Sequence, residues 1–313
     1  MKNLLLVLLC LPLMTLAQKT YVPDDVFEEY IETTFPAADN GVANDDSVLT
    51  AGLSGDFNLG GAWTTGLVLN PTTLSSPIIS DFTGIEDFVG LHKITISNLN
   101  NITIDLSQAT LTAKFNFLPG ELNISSCPLV TDIILPSDTI ELVLNANTYL
   151  TNIVFQPLTF IGNDIGYGGL TIAGCNSLLT IDISNIAGVF NDSYLSVTGN
   201  INLTQLNIKN GFCYNWGTVS IGSNPNLFCV QVDDPNYSSI SANWSWSEFD
   251  FLNQNNQYSY STNCGWPSAI QEHSANKELL KVTDLLGRET KQTNHPLFYI
   301  YDDGTVEKKI IIE

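Results

Sequence analysis

The sequence is short of positive charge. Arginine occurs once, at Arg288, histidine three times, and lysine plus arginine number 11 against 32 aspartates and glutamates. The imbalance is local. From Tyr21 to Ser268, 24 acids face three lysines (Lys93, Lys114 and Lys209), a balance of −21. From Ala269 onward six cations face eight acids, a balance of −2, and Lys2 and Lys19 supply the remaining +2. An acidic body repels phosphate, so no nucleic-acid partner is expected. Enzymes that cleave acidic glycans by elimination need cations to neutralise the substrate carboxylate, and three lysines without an arginine argue against that chemistry. No G-x-S-x-G, H-E-x-x-H or phosphate-loop pattern occurs. The body has a single histidine, His92, expected at the surface of a turn, with little in the sequence to support a general-base role. No close C-x-x-C pair occurs, which disfavours zinc. A glycan hydrolase needs two carboxylates roughly 5–9.5 Å apart. Nothing in the order of the 24 acids singles out such a pair. The expectation is a non-enzyme with no cofactor and no metal.

Beyond the first 17 residues no long apolar run remains, so no membrane span is expected in the mature chain. Residues 1–17 read as a secretory signal peptide: Lys2, the apolar stretch Leu4 to Leu13, then Thr15-Leu16-Ala17 before the cleavage point. Cys10 is lost with it.

What is abundant is repetition, and 44% hydrophobic residues give it a core to build. L-T-I-A-G-C-N-S-L-L-T-I-D-I-S begins at Leu170, and versions of it begin at Ile94, Leu122, Leu142, Leu195 and Val219. The intervals along the chain are 28, 20, 28, 25 and 24 residues. Repeats of that length mark a solenoid. Each starts with apolar residues two apart, a short strand with one inward face. An Asn or Cys follows at a fixed offset: Cys127, Asn147, Cys175, Asn200, Asn224. There the chain is expected to turn, an Asn bonding the backbone of a neighbouring coil and a Cys filling the same slot. Leu178, Ile181, Ile183 and their equivalents then point back inward. The intervening strand positions, Thr95, Asn123, Val143, Thr171, Ser196 and Ser220, are expected to face solvent. They are mostly small and polar, and no binding role is assigned to them.

Ahead of the repeats, Asp24 or Asp25 caps a helix whose apolar face is Val26, Phe27, Tyr30 and Ile31, with Glu28 and Glu29 in the first turns and Pro36 ending it. A turn and a short strand follow. This segment is expected to cover the open edge of the first coil. The cluster Asp39, Asn40, Asn44, Asp45, Asp46 looks like a calcium loop but lacks the closing Glu, so turn chemistry is the expectation. Leu67 to Leu69 reads as a strand of a first, degenerate unit. Phe82, Ile85, Phe88, Leu91 and Ile94, three apart, read as an inward set with a short helical or 3₁₀ outer side. After Val232 the periodicity breaks, and Trp244, Trp246 and Phe249 are expected to cover the last coil. A carbohydrate platform of Trp244, Trp246, Tyr258 and Tyr260 is the alternative. Cys229 and Cys264 flank this cap and are expected to form a disulfide. Cys127 and Cys175 are expected free and buried, and Cys213 free in a loop. In the tail, three strands are expected: Leu279 to Asp284, Leu297 to Tyr301, and Val306 to Ile312 after the Asp302-Asp303-Gly304 turn.

The pattern L-x-L-x-x-N/C-x-x-L-x-x-L over roughly residues 79–232 resembles the leucine-rich repeat family, and more closely the irregular repeats of surface proteins in Bacteroidetes-type bacteria. The tail phrases D-L-L-G-R-E, Y-I-Y-D-D-G-T and K-K-I-I-I resemble the type A C-terminal sorting domain of the type IX secretion system. With the signal peptide (1–17), these resemblances imply an N-terminal cap (18–70), a mainly β solenoid with parallel strands and little helix (71–232), a C-terminal cap (233–264), a linker (265–276) and a sorting domain (277–313). They imply export by the type IX machinery through residues 277–313 and a secreted or outer-cell-surface protein. Its role would be adhesion, or binding of an extracellular protein or glycan. A glycan-active hydrolase or lyase on the same scaffold is the competing expectation.

Overall fold

In the computed structural model the repeats lie over one another. The structure describes residues 18–53, 66–88, 90–111, 120–157, 159–161, 168–190, 193–211, 215–238, 258–265, 279–283, 288, 296–301 and 306–310. It comprises two compact units, Met1–Cys264 and Gly265–Glu313. The first is a parallel β-solenoid. Leu67, Ile94, Leu122, Leu142, Leu170, Leu195 and Val219 stand in unbroken parallel register along one nine-stranded sheet. Each is buried, as is its partner two residues on. A second face is built of three-residue strands, among them Thr103–Asp105, Asp132–Ile134, Thr180–Asp182 and Gln205–Asn207. It forms two separate sheets, broken between Asn152–Val154 and Thr180–Asp182. The break falls in a 28-residue interval that also holds an inserted strand, Phe160–Ile161, paired in parallel with residues 139–140 and 188–189. The expected outer 3₁₀ turn exists at Ile85–Asp87, with Phe82, Ile85, Phe88 and Leu91 all buried. In the coils after it the outer side is extended strand.

The Asn/Cys slot is a ladder of side chain to backbone bonds. Asn147 accepts the Cys127 N–H (3.0 Å) and donates to the Ile124 carbonyl (2.8 Å). Asn200 does the same to Cys175 N–H (2.9 Å) and Ile172 C=O (3.0 Å), and Asn224 to Asn200 N–H (2.9 Å) and Val197 C=O (2.7 Å). Each Asn therefore satisfies the coil before its own, where the sheet ladder ends and buried amides would otherwise go unpaired. Where the slot holds Cys, the thiol donates to a carbonyl two residues back, Cys127 to Ser125 (3.5 Å) and Cys175 to Ala173 (3.6 Å). Both thiols are buried, and burial pushes the Cys175 thiol up to about 11 and Cys127 in the same direction. Neither is expected to react with a thiol-specific chromogen at pH 8 until the chain is denatured. Labelling in the native state would contradict this placement.

The residue before each slot is left-handed. Asn98, Ser126, Ala146 and Ser223 have φ of 56°, 54°, 54° and 55°, and Gly174 and Gly199 occupy the same position at 64° and 68°. Nothing about Ser126 or Ala146 as residue types announces this corner. Left-handed backbone costs a non-glycine residue about 1–2 kcal/mol, while glycine loses about 0.4–1 kcal/mol more chain entropy on folding. Ala146→Gly is therefore expected to stabilise the solenoid by about 0.5–1 kcal/mol. A lowered urea midpoint would show that the corner is not strained.

The N-terminal segment closes the first edge. The helix Asp25–Thr34 is capped by Asp24, which accepts from Val26 and Phe27 N–H and from the Ser80 N–H and hydroxyl. Phe27, Tyr30 and Ile31 are buried, and rings pair edge-on across the junction, Phe27 with Phe82 and Phe35 with Phe88. Tyr30 accepts the Val68 N–H at 2.9 Å, satisfying an amide of the edge strand of the described sheet. Leu67–Leu69 pairs in parallel with Ile94–Ile96 and is the first rung of the sheet among the described residues.

At the far end, Ser259–Ser261 adds a parallel strand beside Cys229–Gln231. The Cys229–Cys264 disulfide, with Cα atoms 5.8 Å apart, ties it down. Gln231 accepts the Cys264 N–H (3.0 Å), and Gln205 donates to the Cys264 carbonyl (3.1 Å). The segment expected as the far cap therefore contributes a further rung. Trp244, Trp246, Phe249 and Cys213 lie outside the described residues, as do residues 1–17, most of the 265–276 linker and the tail turns.

The second unit contains an antiparallel sheet of Leu279–Thr283, Pro296–Tyr301 and Val306–Ile310. These strands correspond to the three alternating runs of the tail.

Candidate functional site

One row of the first sheet carries tall side chains on its outer side. Lys93, Glu121 and Glu141 are register partners on successive coils; Gly169 and Tyr194 continue the row. Like charges directly opposite destabilise a sheet, yet Glu121 and Glu141 stand one strand apart. Each is held by a neighbour. The Lys93 ammonium pairs with the Glu121 carboxylate. The Tyr194 hydroxyl donates to Glu141 Oε1 at 2.6 Å, reaching across the strand of Gly169 to do so. Gly169 makes that reach possible: a Cβ there would fall 2.7 Å from Tyr194 Cγ and Cδ2 and 2.1 Å from its carbonyl oxygen. Thr171, on the floor beside it, opposes the rise in the phenol's pKa. Burial, the bond to Glu141 and the charge of Glu141 hold Tyr194 protonated well above the ordinary phenol range.

Beside this wall lies a floor of short side chains. Thr95, Asn123, Val143, Thr171, Ser196 and Ser220 are in register and make one row. Ser97, Ser125, Asn145, Ala173 and Thr198 make the next. The first of these rows, expected to face solvent, is only half-exposed, and Ser220 is buried. Strands about 4.8 Å apart let each side chain cover its neighbour.

The other residues singled out by sequence serve the fold. Asp45 accepts from Asn40 (2.9 Å), the Ser47 hydroxyl (2.8 Å) and Lys19 (3.1 Å), which hold its carboxyl well below the usual range. Asp39 accepts the Gly41 N–H at 2.6 Å within its own turn. Glu28, expected as a dipole partner in the first helical turn, is fully buried and accepts the N–H groups of Asp45, Asp46 and Ser47. Burial raises its pKa and those backbone bonds oppose the rise. Asp25, Glu28 and Asp46 bring carboxylate oxygens within 4.8 Å of one another. Glu28 already spends both oxygens on backbone, so the cluster reads as a clamp on the 45–47 turn. Tyr258 and Tyr260 meet at 85° with ring centres 5.7 Å apart, both packed on the core. A pair at right angles is not a flat platform. His92, expected at the surface, is buried, because the ladder extends one residue upstream of Lys93 and the His92 carbonyl takes the Glu121 N–H at 2.6 Å.

Sequence reasoning did not find the Tyr194–Glu141 pair. Its only sequence signal was a glycine, Gly169, in register between the two.

The chain matches no protein-family model, no curated protein and no solved structure.

Proposed function

We propose that this is an exported, non-catalytic binding protein that presents its solenoid surface to an extracellular protein or glycan. Residues 277–313 would act as its tail for the type IX secretion machinery at the cell surface. The observation that carries the binding reading is the self-neutralised row on the first sheet. Each ionised group there is engaged: Lys93 with Glu121, and Glu141 with a tyrosine held in its protonated form. Such a row supplies fixed donors and acceptors but no free base. The disulfide supports an oxidising, extracytoplasmic setting. The separate tail unit, with its own sheet, supports a detachable label. Among the described residues no helix is long and apolar enough to cross a membrane.

One observation favours the hydrolase reading: two carboxylates on adjacent strands, at about 4.8 Å strand spacing, approach the separation that retaining glycosidases use. The deciding experiment incubates the full chain with glycan and protein panels and scores retention and product release separately. Retention without product is expected, and release of shortened glycan would overturn the non-catalytic reading. For export, deletion of 277–313 is expected to leave the protein inside the outer membrane. Normal secretion of the deletion variant would overturn the role given to the tail.

A further inference from the structure

We propose that the wall Lys93–Glu121–Glu141–Tyr194 and its floor form a saccharide-binding site, taking a neutral or amino-sugar chain laid parallel to the solenoid axis. This rests on the binding reading above and names its ligand class. Three features of the row fit sugar chemistry.

The first is a fixed aromatic ring. Tyr194 is tethered at its hydroxyl by Glu141, and its ring base occupies the space that Gly169 leaves empty. Its remaining exposure lies on the outside of the sheet. A ring that has no rotamers left to lose binds without an ordering cost. Its electron-rich face suits the C–H groups of a pyranose.

The second is spare acceptor capacity. A carboxylate offers about four lone-pair positions. Tyr194 uses one on Glu141, and Lys93 engages Glu121, whose side chain is still 42% exposed. The open positions accept hydroxyl protons in charge-assisted bonds. Lys93, 36% exposed, adds a donor for a ring or hydroxyl oxygen at the same end.

The third is shape and repeat. The tall row stands over two rows of short side chains, a step along which an unbranched chain lies. The coils advance by about 4.8 Å, close to one pyranose unit of an extended glycan. Successive sugars therefore meet Glu121, Glu141 and Tyr194 in turn. Charge sets the class. Two carboxylates to one lysine, on a body carrying −21, repel uronates and sulfated sugars and accept neutral or cationic ones.

The test is calorimetric titration of the full chain with three probes: a neutral β-linked glucose hexamer, a deacetylated glucosamine hexamer and a galacturonate hexamer. The neutral or the amino hexamer is expected to bind, with the acidic one at least about tenfold weaker. Tyr194→Ala and Glu141→Gln are each expected to weaken binding about tenfold or more. Tyr194→Phe, which keeps the ring, should fall between. Ile102→Ala, at an exposed corner of the solenoid, should change nothing. Melting curves keep the variants comparable, and Glu141→Gln, isosteric, stands if Tyr194→Ala misfolds. Binding of a neutral or amino hexamer that survives both substitutions would overturn the site and leave the binding reading standing. So would a preference for galacturonate, or retention of protein ligands alone. Product release would instead overturn the non-catalytic reading, whatever the variants do.

Discussion

Asn200→Ala is expected to destabilise the solenoid by about 3–5 kcal/mol. The side chain is fully buried and serves the preceding coil, taking the Cys175 N–H and giving to the Ile172 carbonyl. Alanine leaves both groups without a partner at a depth where each orphan costs about 1–3 kcal/mol, and leaves a cavity besides. The comparison that isolates the effect is Asn226→Ala. Asn226 also reaches back one coil, donating to the Ile201 carbonyl at 2.7 Å, but it does so in water. Its loss should stay within about 0.5 kcal/mol. Cys175→Ala, in the same slot one turn earlier, should lie between at about 1–2 kcal/mol, since its thiol makes only a weak bond, to the Ala173 carbonyl at 3.6 Å, and its loss leaves a small cavity. Urea melts of the three variants give the ranking. If Asn200→Ala melts with Asn226→Ala, the slot is a spacer and the ladder contributes little. Because each coil touches only its neighbours, a break at Asn200 should also broaden the transition as the two halves unfold separately.

The architecture was legible because two signals coincide. Apolar residues two apart mark a strand, and a small polar residue at a fixed offset marks its corner. Unequal intervals from 20 to 28 residues did not hide the register, because the slot restarts the count at every turn. What stayed hidden depends on neighbours in space. Tyr194 and Glu141 are 53 residues apart, and their bond exists only because three coils align and the middle one carries glycine. Glu28 reads as one more exposed acid in a helix's first turn. Only the fold of residues 45–47 makes it a buried acceptor of backbone amides. His92 misled for a related reason. A polar type beside a strand start suggests a surface, whereas the sheet ladder begins one residue early and covers it. The left-handed corners at Ser126 and Ala146 carry no residue signature, because the coil geometry imposes a conformation their types disfavour.

Replacing both Cys229 and Cys264 by serine is expected to cost about 3–4 kcal/mol, from the loop entropy restored to the unfolded chain by opening a bridge 35 residues apart in sequence. The loss should not be spread evenly. Among the described residues, Ser259–Ser261 is the last strand of its sheet and rests on one parallel partner, while Gln205 and Lys209 donate to the Cys264 and Thr262 carbonyls and Gln231 accepts the Cys264 N–H. With the bridge gone, that strand becomes the weakest rung of a stack whose stability passes from neighbour to neighbour. Its departure frees the Val232 N–H, now bonded to Ser261 at 2.9 Å, and exposes the edge of Cys229–Gln231. An uncapped parallel edge invites pairing with another chain. Hydrogen exchange should therefore accelerate first at Ser259–Ser261 and Val232, with the strands around Leu122 and Leu142 protected as before. The variant should also associate as its concentration rises. Uniform acceleration across all coils would mean that the solenoid unfolds as a single unit and that the bridge staples the whole stack. An unchanged melt would mean that the hydrogen bonds of Gln205 and Gln231 hold the far cap without it.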